Sequence, residues 1–248
     1  MRALVLRPLL AAFGFLTRLP VAGAHPADQD LGRSVAFFPV VGLALGLAVA
    51  AGAFVTAGLV SPLLRGALLA ALLAILTGGL HLDGLADLFD GLGAARGDRA
   101  RMLEIMRDGR IGAFGAAALA FLVLAKVAAL AEVLGRGDLL VVLVFPAVAR
   151  AAVTPLVALF PYARPEGLGR AFAGHAGRRE VGIAVAFTAG LLLVGGGARL
   201  LLPALVAGAV ALALGVWLGR KLGGLTGDVY GAAIELTEVA FLVAALIA

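Results

Sequence analysis

The sequence predicts an all-α fold: a polytopic transmembrane helix bundle of about seven spans, preceded by a short N-terminal interfacial helix. Three observations predict it. Hydrophobic residues occupy 62% of the 248 positions and charged residues only 14%, against about a quarter charged in an ordinary soluble domain. One core cannot hold that much apolar mass, so the outer surface must be apolar too. The apolar residues also fall into stretches near the roughly 20 residues that cross a bilayer core. Finally, arginine and lysine collect in alternate connections between those stretches.

The first segment, Leu4 to Leu16, is short and interrupted by Arg7 and Pro8. It lacks a small-residue cleavage site and reads as an interfacial or half-inserted helix rather than a signal peptide. The spans follow as Val35–Val60, Gly66–Leu80, Ile111–Leu134, Leu139–Pro161, Val181–Gly195, Leu200–Leu218 and Val229–Ala248. The second and fifth are short. No internal repeat or soluble linker divides the chain, so residues 1–248 form one integral membrane catalytic domain. Abundant glycine and alanine suit close helix approach in lipid.

Alternating the spans gives two sets of loops. One holds Arg18, Arg33, Arg96, Arg99, Arg101, Arg107, Arg110, Arg164, Arg170, Arg178, Arg179, Arg220 and Lys221; the other holds only Arg65, Arg136 and Arg199. Positive residues remain inside. The polar loops therefore face the cytoplasm of an inner membrane, and the lipid bilayer is the chain's surroundings. The net charge of +5 follows from this topology. Its basic residues form no groove-sized block, so nucleic acid is not an expected partner. An oligomer is compatible with the sequence. With no cysteine, disulfides, thiolate nucleophiles and Cys-type zinc sites are excluded.

The long polar connection carries the chemistry. It reads His81-Leu-Asp-Gly-Leu-Ala-Asp-Leu-Phe-Asp-Gly-Leu-Gly93, then Arg101-Met-Leu-Glu-Ile-Met-Arg-Asp-Gly-Arg-Ile-Gly112. Asp83, Asp87 and Asp90 are spaced i, i+4, i+7 and share one helical face within roughly 60°. Glu104 and Asp108 share another. Carboxylates stacked on one face repel, and a divalent cation reverses that sign. Oxygen ligands without cysteine suit Mg2+, with Mn2+ as the alternative. The other reading is a solvated loop of mixed charge. Leu82, Leu85, Leu88 and Phe89, alternating with the carboxylates, favour a packed helix with one polar face.

These motifs resemble those of the cobalamin synthase family, the adenosylcobinamide-GDP ribazoletransferases. The resemblance rests on Phe15-Leu-Thr-Arg-Leu-Pro20, His81-Leu-Asp-Gly-Leu-Ala-Asp87, Asp90-Gly91, Arg101 to Asp108 and Arg110-Ile-Gly112. Later it continues through Glu166-Gly-Leu-Gly169, Gly223-Gly-Leu-Thr-Gly-Asp228 and Gly231 to Glu238. A looser pattern is similar to the CDP-alcohol phosphotransferases: Asp87, Asp90, Gly91, Ala95, Arg96, Glu104 and Asp108 follow their order. It departs by one extra residue before Ala95-Arg96, by Glu104 in place of Asp and by Ala100 in place of Gly.

The resemblance implies that the 5′-hydroxyl of α-ribazole, or of its 5′-phosphate, attacks adenosylcobinamide-GDP. The products are adenosylcobalamin or its 5′-phosphate, and GMP. Asp83, Asp87, Asp90, Glu104 and Asp108 are candidate metal ligands. Asp108 is also the candidate base, by analogy with the last Asp of the looser pattern, and His81 is the alternative. Arg96, Arg101, Arg107 and Arg110 are candidate phosphate contacts, with positive-inside topology as the competing explanation. Asp228 and Glu235 share a face of the last helix and are candidate lining of a substrate cavity.

Lys126, Glu132, Arg150, Glu235 and Glu238 are costly in lipid. They either pair with one another, for example Arg150 with Glu235, or line that cavity. The glycine-rich loop from Tyr162 to Glu180 is expected as a lid or a connector, and Trp217 and Phe172 as interface anchors. A phospholipid-forming phosphotransferase and a transporter are the rival readings. A transporter is disfavoured because no repeat is present and the charges gather at one face.

Overall fold

The computed structural model describes residues 2–21 and 26–248. Its regular elements are all helical, and no strand occurs among the described residues. In order they are α1 (Arg2–Leu16), α2 (Asp28–Ser34), α3 (Phe38–Val55), α4 (Pro62–Thr77), α5 (Leu80–Ala94), α6 (Arg99–Ile105), α7 (Ala113–Gly135), α8 (Leu139–Leu159), α9 (Leu168–His175), α10 (Arg178–Gly196), α11 (Leu201–Leu222) and α12 (Gly227–Ile247). The seven apolar stretches expected from the sequence correspond to α3, α4, α7, α8, α10, α11 and α12.

Five segments are long and apolar enough to cross a membrane, and six if the bent pair α4–α5 counts as one span. One of the five is the 45-residue run Arg178–Leu222, which contains two of the expected spans. Gly197, at φ 64° and ψ −157°, breaks its helical path. An alanine Cβ at Gly195 or Gly196 would lie against Leu140, whereas one at Gly215 would lie against Leu156 and Phe160. The run therefore climbs α8 in α10 and returns beside it in α11. Outward positions such as Phe54, Phe121, Val194 and Leu205 are exposed and apolar, as a lipid-facing surface requires.

Helix α8 is the axis. Most of its length is buried, and it packs against α3, α10, α11 and α12. Gly42 and Gly46 let α3 approach it: a Cβ at Gly46 would stand 1.8 Å from the Leu143 carbonyl oxygen. No larger residue permits that spacing.

The turn between α4 and α5 sets the site. Pro62 starts α4 just after its N-cap, Ser61, a position where the missing N–H costs nothing. Gly78 and Gly79 then both take left-handed φ, 65° and 71°, and Gly79 N–H donates to the Ala74 carbonyl at 2.8 Å. This is a glycine-terminated Schellman stop. It turns α5 by 92° from α4, so the aspartate-bearing helix lies across the polar end of the bundle.

Candidate functional site

Helix α5 is held in place by two close approaches to α12. A Cβ at Gly84 would come within 2.9 Å of the Asp228 backbone, and one at Gly231 within 3.1 Å of the His81 Cα. These glycines let the backbones nearly touch, which brings Asp83 and Asp87 beside Asp228. Burial pushes the Asp87 carboxyl up to about 6, and the charges of Asp83 and Asp228 push the same way. Neither the Asp83 nor the Asp87 carboxylate makes a hydrogen bond or ion pair among the described residues. Asp228 is held by Arg164, whose Nη2 donates to Oδ2 at 2.6 Å.

Two cavities open at these carboxylates. The larger, of about 590 Å³, lies between the end of α1, the α4–α5 turn and the Gly109–Ile111 connection, and is lined by Arg18, Asp83 and Asp87. The smaller, of about 210 Å³, runs inward among α1, α3, α5, α8, α9 and α12, and is lined by His81, Asp83, Arg164, Asp228 and Tyr230. Phe15, Leu80 and Asp83 border both, so the site has two lobes that meet at one carboxylate. Its roof is the segment after α8. Leu225 N–H donates to the Pro161 carbonyl at 2.8 Å, and Ala163 N–H donates to the Leu225 carbonyl at 2.8 Å. Helix α9 seats against α2, where a Cβ at Gly32 would meet His175. The segment expected as a lid or connector is thus packed as a roof over the inner lobe.

Other predicted site residues stand elsewhere, each for a physical reason. Asp90 turns toward α7: its carboxylate accepts from Gly112 N–H at 2.7 Å and Gly115 N–H at 2.9 Å. It caps a helix whose first amides have no partner of their own. Met102 and Met106 of the α6 segment bury against Gly91, which sends Glu104 and Asp108 to the surface. Glu104 pairs there with Arg101 at 2.9 Å with its side chain 68% exposed. Asp108 pairs with Arg110 at 2.6 Å, and that hydrogen bond holds its carboxyl below the usual range. Asp108 is therefore not placed as a base. Arg96 and Arg107 are exposed. None of Arg96, Arg101, Arg107 and Arg110 lines either lobe.

Glu235 also leaves the expected lining. Lys126 Nζ bonds Glu235 at 2.5 Å and Glu238 at 2.6 Å, while Arg150 Nη1 bonds Glu238 at 2.5 Å. Arg150 thus pairs with Glu238, not with Glu235. Glu132 lies outside this group, near Arg136. Phe172, expected as an interface anchor, is instead buried between Phe15 and Phe38 in the cavity wall; Trp217 is half-exposed.

Sequence reasoning did not single out Arg18 and Arg164 as site cations. Arg18 stood inside the Phe15–Pro20 motif, and Arg164 sits between Pro161 and Pro165, two rigid points in the roof. Among the described residues no group of three or more His, Asp or Glu is placed to hold a metal ion. Two unpaired carboxylates one helical turn apart do fit Mg2+, which is commonly bound by one or two carboxylates plus substrate phosphates.

A helical, membrane-type bundle with a two-lobed acidic site at its polar end is the class of protein that fold and geometry define. The chain belongs to the cobalamin-5-phosphate synthase family, whose model matches residues 8–246. It is 43% identical over 244 residues to the adenosylcobinamide-GDP ribazoletransferase of Pseudomonas aeruginosa strain PAO1, covering 96% of this chain and 97% of the relative. It is 46% identical over 239 residues to the enzyme of that name from Syntrophobacter fumaroxidans, covering 94% and 96%. No solved structure matches it.

Proposed function

We propose that the chain is an adenosylcobinamide-GDP ribazoletransferase, acting in the final steps of cobalamin biosynthesis. It transfers the cobinamide phosphate of adenosylcobinamide-GDP to the 5′-hydroxyl of α-ribazole or α-ribazole 5′-phosphate, releasing GMP. One observation carries the mechanism: two lobes meet at Asp83, as a reaction between a donor and an acceptor requires.

Phosphoryl transfer is catalysed mainly by positioning and charge neutralisation. The open lobe takes the diphosphate of the donor. Arg18 reaches it from the wall of that lobe, while Arg164, held to Asp228, adds its charge from the inner lobe across Asp83. Asp83 and Asp87 would hold Mg2+, which supplies neutralising charge to the diphosphate. The acceptor's 5′-oxygen forms a bond to the cobinamide-linked phosphorus as the bond to the GMP oxygen breaks. The hydroxyl proton passes to Asp83, the carboxylate bordering both lobes. The roof over the inner lobe limits water, the competing nucleophile.

The excess of arginine and lysine in the loops of this end supports a cytoplasmic orientation in an inner membrane. Purified protein in detergent, given both substrates and Mg2+, is expected to form a cobalamin product and GMP, resolved by chromatography. No product under those conditions rejects the reading.

A further inference from the structure

The inner lobe has a character that charge neutralisation does not use. Its walls are Phe15, Phe38, Phe172, Val153, Val157 and Ile234, and its volume is about 210 Å³. Asp83, Tyr162, Arg164 and Asp228 also line it, and His81 and Tyr230 add polar atoms among the apolar walls. Among the described residues His81 Nε2 and Tyr230 Oη have no hydrogen-bond partner, and neither does Nε of Arg164, whose Nη2 is held by Asp228, although His81 is only 3% exposed and Tyr230 only 6%. A buried polar atom without a partner is costly, so a ligand that supplies partners here gains affinity.

We propose that this lobe binds the flat aromatic base of the acceptor, with His81 and Tyr230 as its polar contacts. The inference rests on the transferase reading above and names which substrate part lies where. A corrin macrocycle with its amide side chains is too broad for so enclosed a lobe. Guanine matches it in size but presents donors and acceptors along most of its edge, more than His81 and Tyr230 can pair in the inner part of the lobe among Phe38, Val153, Val157 and Ile234. The base of α-ribazole is a fused bicycle with methyl groups and one ring nitrogen free of sugar. Its faces suit the phenylalanines, where Phe15 and Phe172 already lie with centroids 4.5 Å apart. Its free nitrogen and the adjoining ribose hydroxyl match the unsatisfied atoms of His81 and Tyr230. With the base inward, the ribose points to the mouth, where Asp83, Arg164 and Asp228 stand. The 5′-hydroxyl then emerges at the junction of the lobes.

The test is direct binding of α-ribazole to the detergent-purified protein by calorimetry, alongside steady-state kinetics with each substrate varied. Val157→Phe, which fills the lobe, is expected to weaken α-ribazole binding at least tenfold. The KM for adenosylcobinamide-GDP and the affinity for GMP should stay within twofold. Tyr230→Phe removes one polar contact with little change of shape and is expected to weaken α-ribazole about fivefold. Replacing the base by hypoxanthine should lower wild-type affinity more than removing its methyl groups does.

Unchanged α-ribazole affinity in Tyr230→Phe together with a folded Val157→Phe, in a wild-type protein that forms product, overturns this assignment alone. Weakened GMP binding in place of weakened α-ribazole binding overturns it in favour of the nucleotide. A wild-type protein that neither binds α-ribazole nor forms product removes the transferase reading itself. If Val157→Phe does not fold, the Tyr230→Phe and base-series results decide.

Discussion

Asp90 of α5 caps α7 in trans, its two carboxylate oxygens accepting from Gly112 and Gly115 at 2.7 and 2.9 Å. The residue that sequence spacing groups with Asp83 and Asp87 is thereby committed to holding two helices together. Asp90→Ala should lower stability by about 2–4 kcal/mol, since a buried amide at Gly115 and a partly buried one at Gly112 lose charge-assisted partners. Asp90→Asn, which keeps one acceptor, should lose less. Thermal unfolding in detergent measures both, and a cation titration of Asp90→Asn should match wild type.

The carboxylates should separate sharply in activity. Asp83→Ala and Asp87→Ala should each reduce turnover by on the order of 10³-fold, as expected on losing charge stabilisation at a transferring phosphoryl group. Glu104→Ala and Asp108→Ala, altered only at the surface, should stay within a few-fold. Chelation should stop the wild-type enzyme and added Mg2+ should restore it. Equal loss in all four variants, or full activity in excess chelator, contradicts the assignment.

Arg164→Ala should lower kcat and raise the KM for a substrate, because the guanidinium holds Asp228 and its charge stands beside the proposed reaction centre. Arg164→Lys keeps the charge without the planar fork and should recover only part of the loss. An unchanged KM with an unchanged kcat would remove Arg164 from the site.

The pH dependence of the cation-free protein should be set partly by Asp87. Its carboxyl is raised from 3.8 to about 6 in the folded state, so the folded chain binds that proton more tightly than the unfolded one. The sign is therefore a stabilisation present below pH 4 and lost as pH rises through 6. In chelator, Asp87→Asn should be more stable than wild type at pH 7.5 by about 1 kcal/mol after solvent screening. That advantage should vanish near pH 4. Unfolding midpoints across the range check it.

The buried ion cluster makes a further stability prediction. Glu238→Gln leaves Arg150 without its carboxylate and Lys126 with Glu235 alone, and should cost about 3–5 kcal/mol. Glu235→Gln should cost less, because Lys126 retains Glu238. Equal effects would show that the cluster is not centred on Glu238.

The bundle was legible because membrane helices announce themselves by length and apolarity: each expected stretch is a helix. Charged side chains inside those stretches were legible as a pairing problem, but their partners were not. Choosing Glu238 over Glu235 for Arg150 depends on helix rotation, which apolar sequence on every face leaves undetermined. Asp83 and Asp87 line one cavity, as the period of a single helix leads one to expect. Glu104 and Asp108 lie at the surface because Met102 and Met106 share the same four-residue spacing, and burial against Gly91 chose the methionine face. The roof arginine, Arg164, was hidden because a loop has no period from which to read direction. Gly84 and Gly231 were visible as glycines, but their function is a contact between helices far apart in the chain.

The Lys126–Glu235–Glu238–Arg150 cluster also bears on how the protein is made. Lys126 precedes Glu235 by 109 positions, and Arg150 precedes Glu238 by 88. During synthesis both cations therefore emerge from the ribosome, in segments destined for lipid, well before either counter-charge exists. Arrival of α12 neutralises both, so the cations of α7 and α8 stay uncompensated until that helix has been made.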